Sequence, residues 1–408
     1  MNRRLVFTFV LMSVMTAMAA VQEGDEAPLR FTASGLLSPA IIQGTHYRVG
    51  EDVRTEGYFH VFSVSSDFGP FEAIGRSVLA VRIHEIGALA ALQDVSKTEV
   101  FLSAAGQSVV KIGQGAAAVV SDPAGTAKGL GAGIKRFGVN LGRRTERAVS
   151  SSGDTTDSGN AGSTAANSVL GVSSAMRRWA QKVGVDPYTT NVVLQKALAD
   201  IAKVDAAGSI ATKVAVPVPG IVGMTSSIGG LVWGKDPEEL RKFNEQGLKE
   251  LEVPDAVVKK LFGNRWVTLT YQTRLIAALR TVRVSGVADY VRTAAEAGSE
   301  REALFFVESA ELLQQQHARE PVVRVLTDSR ALVANGPGGR ARALLPLDWV
   351  SWTAATQSAL REIGNRARKE LGATQLELAL TGRASELALK GFTELGWTVV
   401  PASTASQE

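Results

Sequence analysis

The chain contains no cysteine in 408 residues. Disulfides, thiolate metal sites and a cysteine nucleophile are therefore excluded, and the fold must be held by burial of apolar surface. Histidine is almost as scarce. The four are His46, His60, His84 and His317. None falls in an H-x-x-x-H or H-E-x-x-H spacing, so no metal site is expected. Aromatic residues make up 6% of the chain, which leaves little for the stacked rings of a carbohydrate cleft. The pair Glu238-Glu239 suits the first turn of a helix better than a glycosidase. There is no G-x-S-x-G elbow, no P-loop and no G-x-G-x-x-G; the glycines of Gly129-Leu130-Gly131-Ala132-Gly133 follow no clear strand. No cofactor is expected. An excess of charge is missing as well: 44 Lys and Arg face 40 Asp and Glu, for a net charge of +4. Arg3 and Arg4 carry two of those four charges, and what remains does not argue for nucleic acid as a partner.

What is present begins at the N-terminus. Met1-Asn2-Arg3-Arg4 is a short basic head, Leu5 to Met18 is apolar, and Ala17-Met18-Ala19-Ala20 is a small-residue exit. These are the three parts of a secretory signal peptide, cleaved near Ala20. The alternative is an uncleaved anchor, but a membrane-spanning helix needs about 20 apolar residues, and this stretch is shorter. Export to the periplasm or cell envelope is the expectation. There a chain without cysteine must fold without the disulfides open to it.

The remainder divides by its periodicity. Thr45 to Val49, Gly57 to Val64 and Phe68 to Ile74 alternate like strands of a small antiparallel meander, with Gly50-Glu51-Asp52 and Ser65-Ser66-Asp67 as turns. Val78, Val81, Ile86, Leu89 and Leu92 fall at helical spacing over 77–92. Ser96 with Glu99 reads as the capping box of a second helix, running on toward Val120. Residues 105–147 are rich in Gly, Ala and basic side chains, and 150–168 read as a flexible Ser/Gly linker. Helices are expected at 172–182, 191–204, 254–262, 268–282, 285–297 and 299–318. Another is capped by Asp236 with Pro237 in its first turn. Strands follow at 322–326, 331–334, 341–347, 375–380 and 397–400, with helices at 353–371 and 384–395. Strand, helix and strand over 375–400 predict a parallel crossover. The expected fold class is α+β, predominantly helical. It comprises an N-terminal β-meander with helices and a basic arm (21–149), the linker (150–168), a helical domain (169–320), a small α/β domain (321–401) and a tail (402–408).

Two segments have a surface-active character. Lys128, Ile134, Lys135, Arg136, Phe137, Arg143 and Arg144 combine apolar and cationic side chains, suited to anionic headgroups. Residues 206–233 are apolar apart from Lys213 but broken by Pro217 and Pro219. They read as buried core, as the lining of an apolar cavity, or as a membrane-inserting hairpin. For catalysis the candidates are few. Ser77 begins a helix after a strand, where it serves better as a cap than as a nucleophile. His60 or His84 with a carboxylate could complete a non-standard hydrolase site.

Three stretches together resemble a family of exported, uncharacterised proteins from Gram-negative bacteria. They are Asp122 to Gly129, Val185-Asp186-Pro187-Tyr188-Thr189-Thr190-Asn191, and Thr381-Gly382-Arg383-Ala384-Ser385 followed by Gly396-Trp397. The resemblance implies a bacterial envelope setting over most of the chain and carries no activity or site. The expected role is a non-enzymatic binding module for an envelope partner protein or for an apolar or lipid ligand, with anionic membrane as a candidate partner. The rivals are a periplasmic hydrolase and a pore former.

Overall fold

The computed structural model describes residues 25–27, 29–105, 174–205 and 223–402. The N-terminal sheet has six strands, all antiparallel: β1 (Arg30–Thr32), β2 (Gln43–Gly44), β3 (Tyr47–Val49), β4 (Asp52–Glu56), β5 (Phe59–Ser66) and β6 (Phe71–Ile74). The order is β1-β4-β5-β3-β2, with β6 on the other side of β5. Two one-turn helices, Ala33–Leu36 (α1) and Pro39–Ile42 (α2), connect β1 to β2. β5 is central because Phe59, Val61, Phe62 and Val64 are all buried there. The meander is thus larger than expected. Asp52, read as part of a turn, begins β4, a strand in which only Val53 is buried. A strand whose other side chains are polar leaves little apolar alternation to read.

Helix α3 (Arg76–Ser96) leaves the sheet directly after β6. Ser96 is its last residue and its hydroxyl donates back to the Gln93 carbonyl (2.6 Å), so it does not cap the next helix. That helix, α4 (Glu99–Ala105), is instead preceded by Thr98, whose hydroxyl accepts from Phe101 N–H (3.3 Å). The expected extension toward Val120, the basic segment and the linker lie outside the described residues.

The middle region is helical: α5 (Ser174–Lys182), α6 (Val192–Val204), α7 (Ser226–Gly234), α8 (Pro237–Glu250), α9 (Asp255–Gly263), α10 (Leu269–Val282), α11 (Val287–Ala294) and α12 (Glu300–Arg319). Local chemistry explains the starts. Asn191 caps α6 by accepting from Val193 and Leu194 N–H (3.1 and 3.3 Å). Asp236 and Glu239 form a reciprocal capping box on α8, which is the role expected for that acidic turn. α12 is buried on most of its surface, including Leu304, Phe305, Phe306, Val307 and Leu313.

The C-terminal sheet runs β13-β11-β9-β8-β7, formed by β7 (Arg324–Val325), β8 (Leu332–Asn335), β9 (Arg340–Leu345), β11 (Gln375–Leu380) and β13 (Trp397–Pro401). β9, β11 and β13 are parallel; β7, β8 and β9 are antiparallel. The crossovers are α13 (Ala354–Leu371) and α14 (Glu386–Glu394). A parallel two-residue pair, β10 (Trp349–Val350) with β12 (Arg383–Ala384), lies apart. The fold is α+β and mostly helical, with an antiparallel N-terminal sheet, a helical middle and a mixed C-terminal region. One apolar core runs from Ala33 to Trp397 through all three. They also meet in polar contacts. The Tyr58 carbonyl accepts from Asp348 and Trp349 N–H (both 3.1 Å), and Ser309 on α12 donates to the Leu344 carbonyl (3.3 Å).

Candidate functional site

A cavity of about 760 Å³ opens where α3, the Val185–Asn191 turn, α10, α12 and the Asp348 loop converge. Its apolar lining includes Leu36, Ile41, Val81, Met224, Leu304 and Leu312, and its polar lining includes Glu85, Asp186, Tyr271, Arg274, Glu300 and Arg301. Volume and mixed lining match a small-molecule site.

The turn owes its shape to short polar side chains. Asp186 Oδ1 accepts from Tyr188 N–H two residues on (2.8 Å), and Thr189 Oγ1 accepts from Asn191 N–H (3.1 Å). These are side-chain turns that replace backbone pairing. Gly184, with φ of +73°, lets the chain enter the turn from α5.

Behind this wall is a buried charge network. On α3, Arg82 and Glu85 are one helical turn apart and face inward, 6% and 1% exposed. Arg82 Nη1 donates to Glu85 (2.5 Å) and Nη2 to Glu300 (3.0 Å). Glu85 also accepts from the Thr189 hydroxyl and from Asn191 Nδ2 (2.9 Å), and Glu300 from the Thr190 hydroxyl (2.5 Å). Burying a charge is tolerable only with such complete pairing. Two further pairs extend the polar wall. Arg274 holds Glu311 in a two-pronged contact (2.8 and 2.9 Å), and Arg301 pairs with Glu308 while lying 4.6 Å from the Phe59 ring centre.

Asp348 ties the C-terminal region to the first sheet. Its Oδ2 accepts from His60 N–H (3.0 Å) and from Arg76 N–H (3.2 Å), the first residue of α3. Burial raises its pKa, against the lowering influence of Arg301. The carboxylate thus supplies the cap expected of Ser77, which lies within the first turn. Gly75 occupies the cap position with φ of +94° and makes no side-chain bond.

Asp186 differs from the other acids. Its only hydrogen-bond donors among the described residues are Tyr188 N–H and the Thr270 hydroxyl (2.6 Å), both on Oδ1. Burial pushes its pKa up to about 6, although both bonds act in the other direction. Tyr271 is 8% exposed, and burial, reinforced by Glu300, holds its phenol well above the usual range. It therefore stays a neutral hydroxyl.

The expected catalytic candidates do not combine. Ser77 and His84 both line the cavity, but His84 Nε2 faces the Gly184 carbonyl (2.9 Å). His60 is packed edge-on against Phe31 (4.8 Å between ring centres), with Thr55 3.5 Å from its Nδ1. Burial, then Arg76, lowers its pKa to about 4. No hydrogen bond among the described residues joins Ser77 to a histidine or a carboxylate. His46 pairs with Asp67 (2.8 Å) at the surface, and His317 accepts from Val322 N–H (3.1 Å). Among the described residues no group of three His, Asp or Glu side chains could hold a metal ion, and no helix is long and apolar enough to cross a membrane. Lys128, Ile134, Lys135, Arg136, Phe137, Arg143 and Arg144 lie outside the described residues, as do 206–222. The remainder of the apolar stretch carries α7, with Ile228 and Val232 buried.

Sequence reasoning did not find Arg82, Glu85, Tyr271 or Glu300 as site residues. Compared with known proteins, the chain matches no family model, no curated protein and no solved structure.

Proposed function

We propose that this chain is an exported binding protein that takes a small molecule with an apolar portion into the cleft between α3, α10 and α12. The cavity of about 760 Å³, with apolar and charged side chains on one lining, carries the reading. Its volume lies inside the range of about 300–1,000 Å³ typical of small-ligand sites. The engagement of His60 and His84 elsewhere favours binding over hydrolysis. The three-part N-terminus and the resemblance to exported Gram-negative proteins support an envelope setting.

The test is uptake of N-phenyl-1-naphthylamine, a neutral dye that brightens in apolar surroundings. The wild-type chain is expected to bind it saturably. Ala80→Trp, which places a large ring in the cavity lining, is expected to weaken uptake at least tenfold while the chain stays folded by circular dichroism. Equal uptake by both proteins contradicts the cleft as the site.

A further inference from the structure

Six carboxylates line this cleft: Glu85, Asp186, Glu300, Glu308, Glu311 and Asp348. Four are ion-paired. Glu85 and Glu300 share Arg82, Glu308 has Arg301, and Glu311 has Arg274. Asp348 takes two main-chain N–H groups and sits in the field of Arg301 and Arg76. Asp186 likewise receives only neutral donors, both on Oδ1, and sits in the field of Arg274, but its Oδ2 has no hydrogen-bond partner among the described residues. A second, independent feature points the same way. Tyr271 lines the same cavity at 8% exposure, and its hydroxyl has no hydrogen-bond partner among the described residues. The charges of Glu300, Arg274, Asp186 and Arg82 all act on the hydroxyl.

A polar atom that faces a cavity without a protein partner can be met by a ligand's donor. Two oxygen acceptors, one of them on a carboxylate outside the ion pairs, are complemented by a compact cationic donor. An anion would meet Arg82, Arg274 and Arg301 already ion-paired and Arg76 donating to the Leu36 carbonyl, with the N-terminus of α3 held by Asp348. A metal ion lacks its ligand count here. We propose that the cleft recognises a primary ammonium group, held by Asp186 and Tyr271, on a molecule whose apolar part lies along Leu36, Ile41, Val81 and Met224. This rests on the cleft reading and names its ligand class.

Docking the ammonium draws Asp186 toward its ionised form. The groups acting on Asp186 are Glu85 from α3, Arg274 and Thr270 from α10 and Tyr188 from its own turn. Glu85 and Arg274 are each engaged by a partner of opposite charge. Affinity therefore falls as the pH drops through about 6.

Calorimetric titration of the full chain with n-octylammonium, 1-octanol and octanoate at pH 7.5 tests the proposal. Octylammonium is expected to bind at least tenfold more tightly than either isostere. Asp186→Asn should bring octylammonium affinity down to that of 1-octanol, removing that preference. Tyr271→Phe should weaken octylammonium severalfold and leave octanol unaffected, so the test does not hang on one variant. Octanoate binding as tightly as octylammonium, an unchanged preference in Asp186→Asn, or no octylammonium binding at all overturns the ammonium assignment. If the dye still enters wild type and is excluded by Ala80→Trp, only the assignment has failed. If Ala80→Trp also has no effect, the cleft reading has failed with it.

Discussion

Glu85 and Asp186 line one cavity and have opposite surroundings. Glu85 accepts from a guanidinium, a hydroxyl and an amide at once. Asp186 is met only by a hydroxyl and a main-chain N–H. One wall spends every charge on holding the fold together. The other leaves Asp186 outside the ion pairs, and burial raises its pKa. A protein can tolerate an unanswered buried carboxylate only by protonating it or by supplying a partner from outside. The contrast separates scaffold from recognition within a single cleft, and it can be broken from either side.

The largest effect is expected on the paired wall. Glu85→Ala leaves Arg82 with Glu300 alone and strands the Thr189 and Asn191 side chains. Removing one member of a buried ion pair costs about 3–5 kcal/mol. Urea unfolding should show that loss as a lower midpoint at unchanged slope. A loss below about 1 kcal/mol would mean the network is not structural. Next comes Asp348→Ala, which exposes no new charge but leaves His60 and Arg76 N–H without their acceptor. About 1–3 kcal/mol is expected, together with earlier proteolysis between the first sheet and the C-terminal region.

Asp186 should behave in the reverse sense. It titrates near 6 in the folded chain and from 3.8 when unperturbed. Between those values the folded state holds more protons than the unfolded one. Its contribution is therefore fully present below about pH 4 and lost as the pH rises through about 6. Unfolding measured from pH 4 to pH 7.5 should show Asp186→Asn gaining stability over wild type as the pH rises. Asp348 also has a raised pKa, but it is common to both proteins and cancels. A constant difference across that range would place Asp186 on the same footing as Glu85. The smallest effect belongs to the surface. Glu238→Gln breaks the exposed pair with Lys242 (2.7 Å) and is expected to leave the unfolding midpoint unchanged.

Much of the scaffold was legible because it is written locally. The Asp236 cap, the helix that follows the turn ending at Asn191 and the parallel crossover over 375–400 follow from patterns along one stretch of chain. β4 was not legible, because its polar side chains obscure the alternation that marks Val53 as buried. The site was least legible of all. Arg82 and Glu85 are an ordinary charged pair on a helix until α12 and the Val185–Asn191 turn cover them. That turn could be singled out as a distinctive stretch, but its partner Glu300 lies more than a hundred residues on. Only the packing of α3, α10 and α12 brings their charges together and leaves Asp186 outside the ion pairs.

The most direct measurement is the titration of the Asp186 carboxyl carbon by nuclear magnetic resonance, assigned by its loss in Asp186→Asn, with and without n-octylammonium. The account expects a pKa of about 6 in the free chain and a fall of at least one pH unit on saturation with the amine. A free value near that of an ordinary aspartate, or one that the amine does not move, would contradict it.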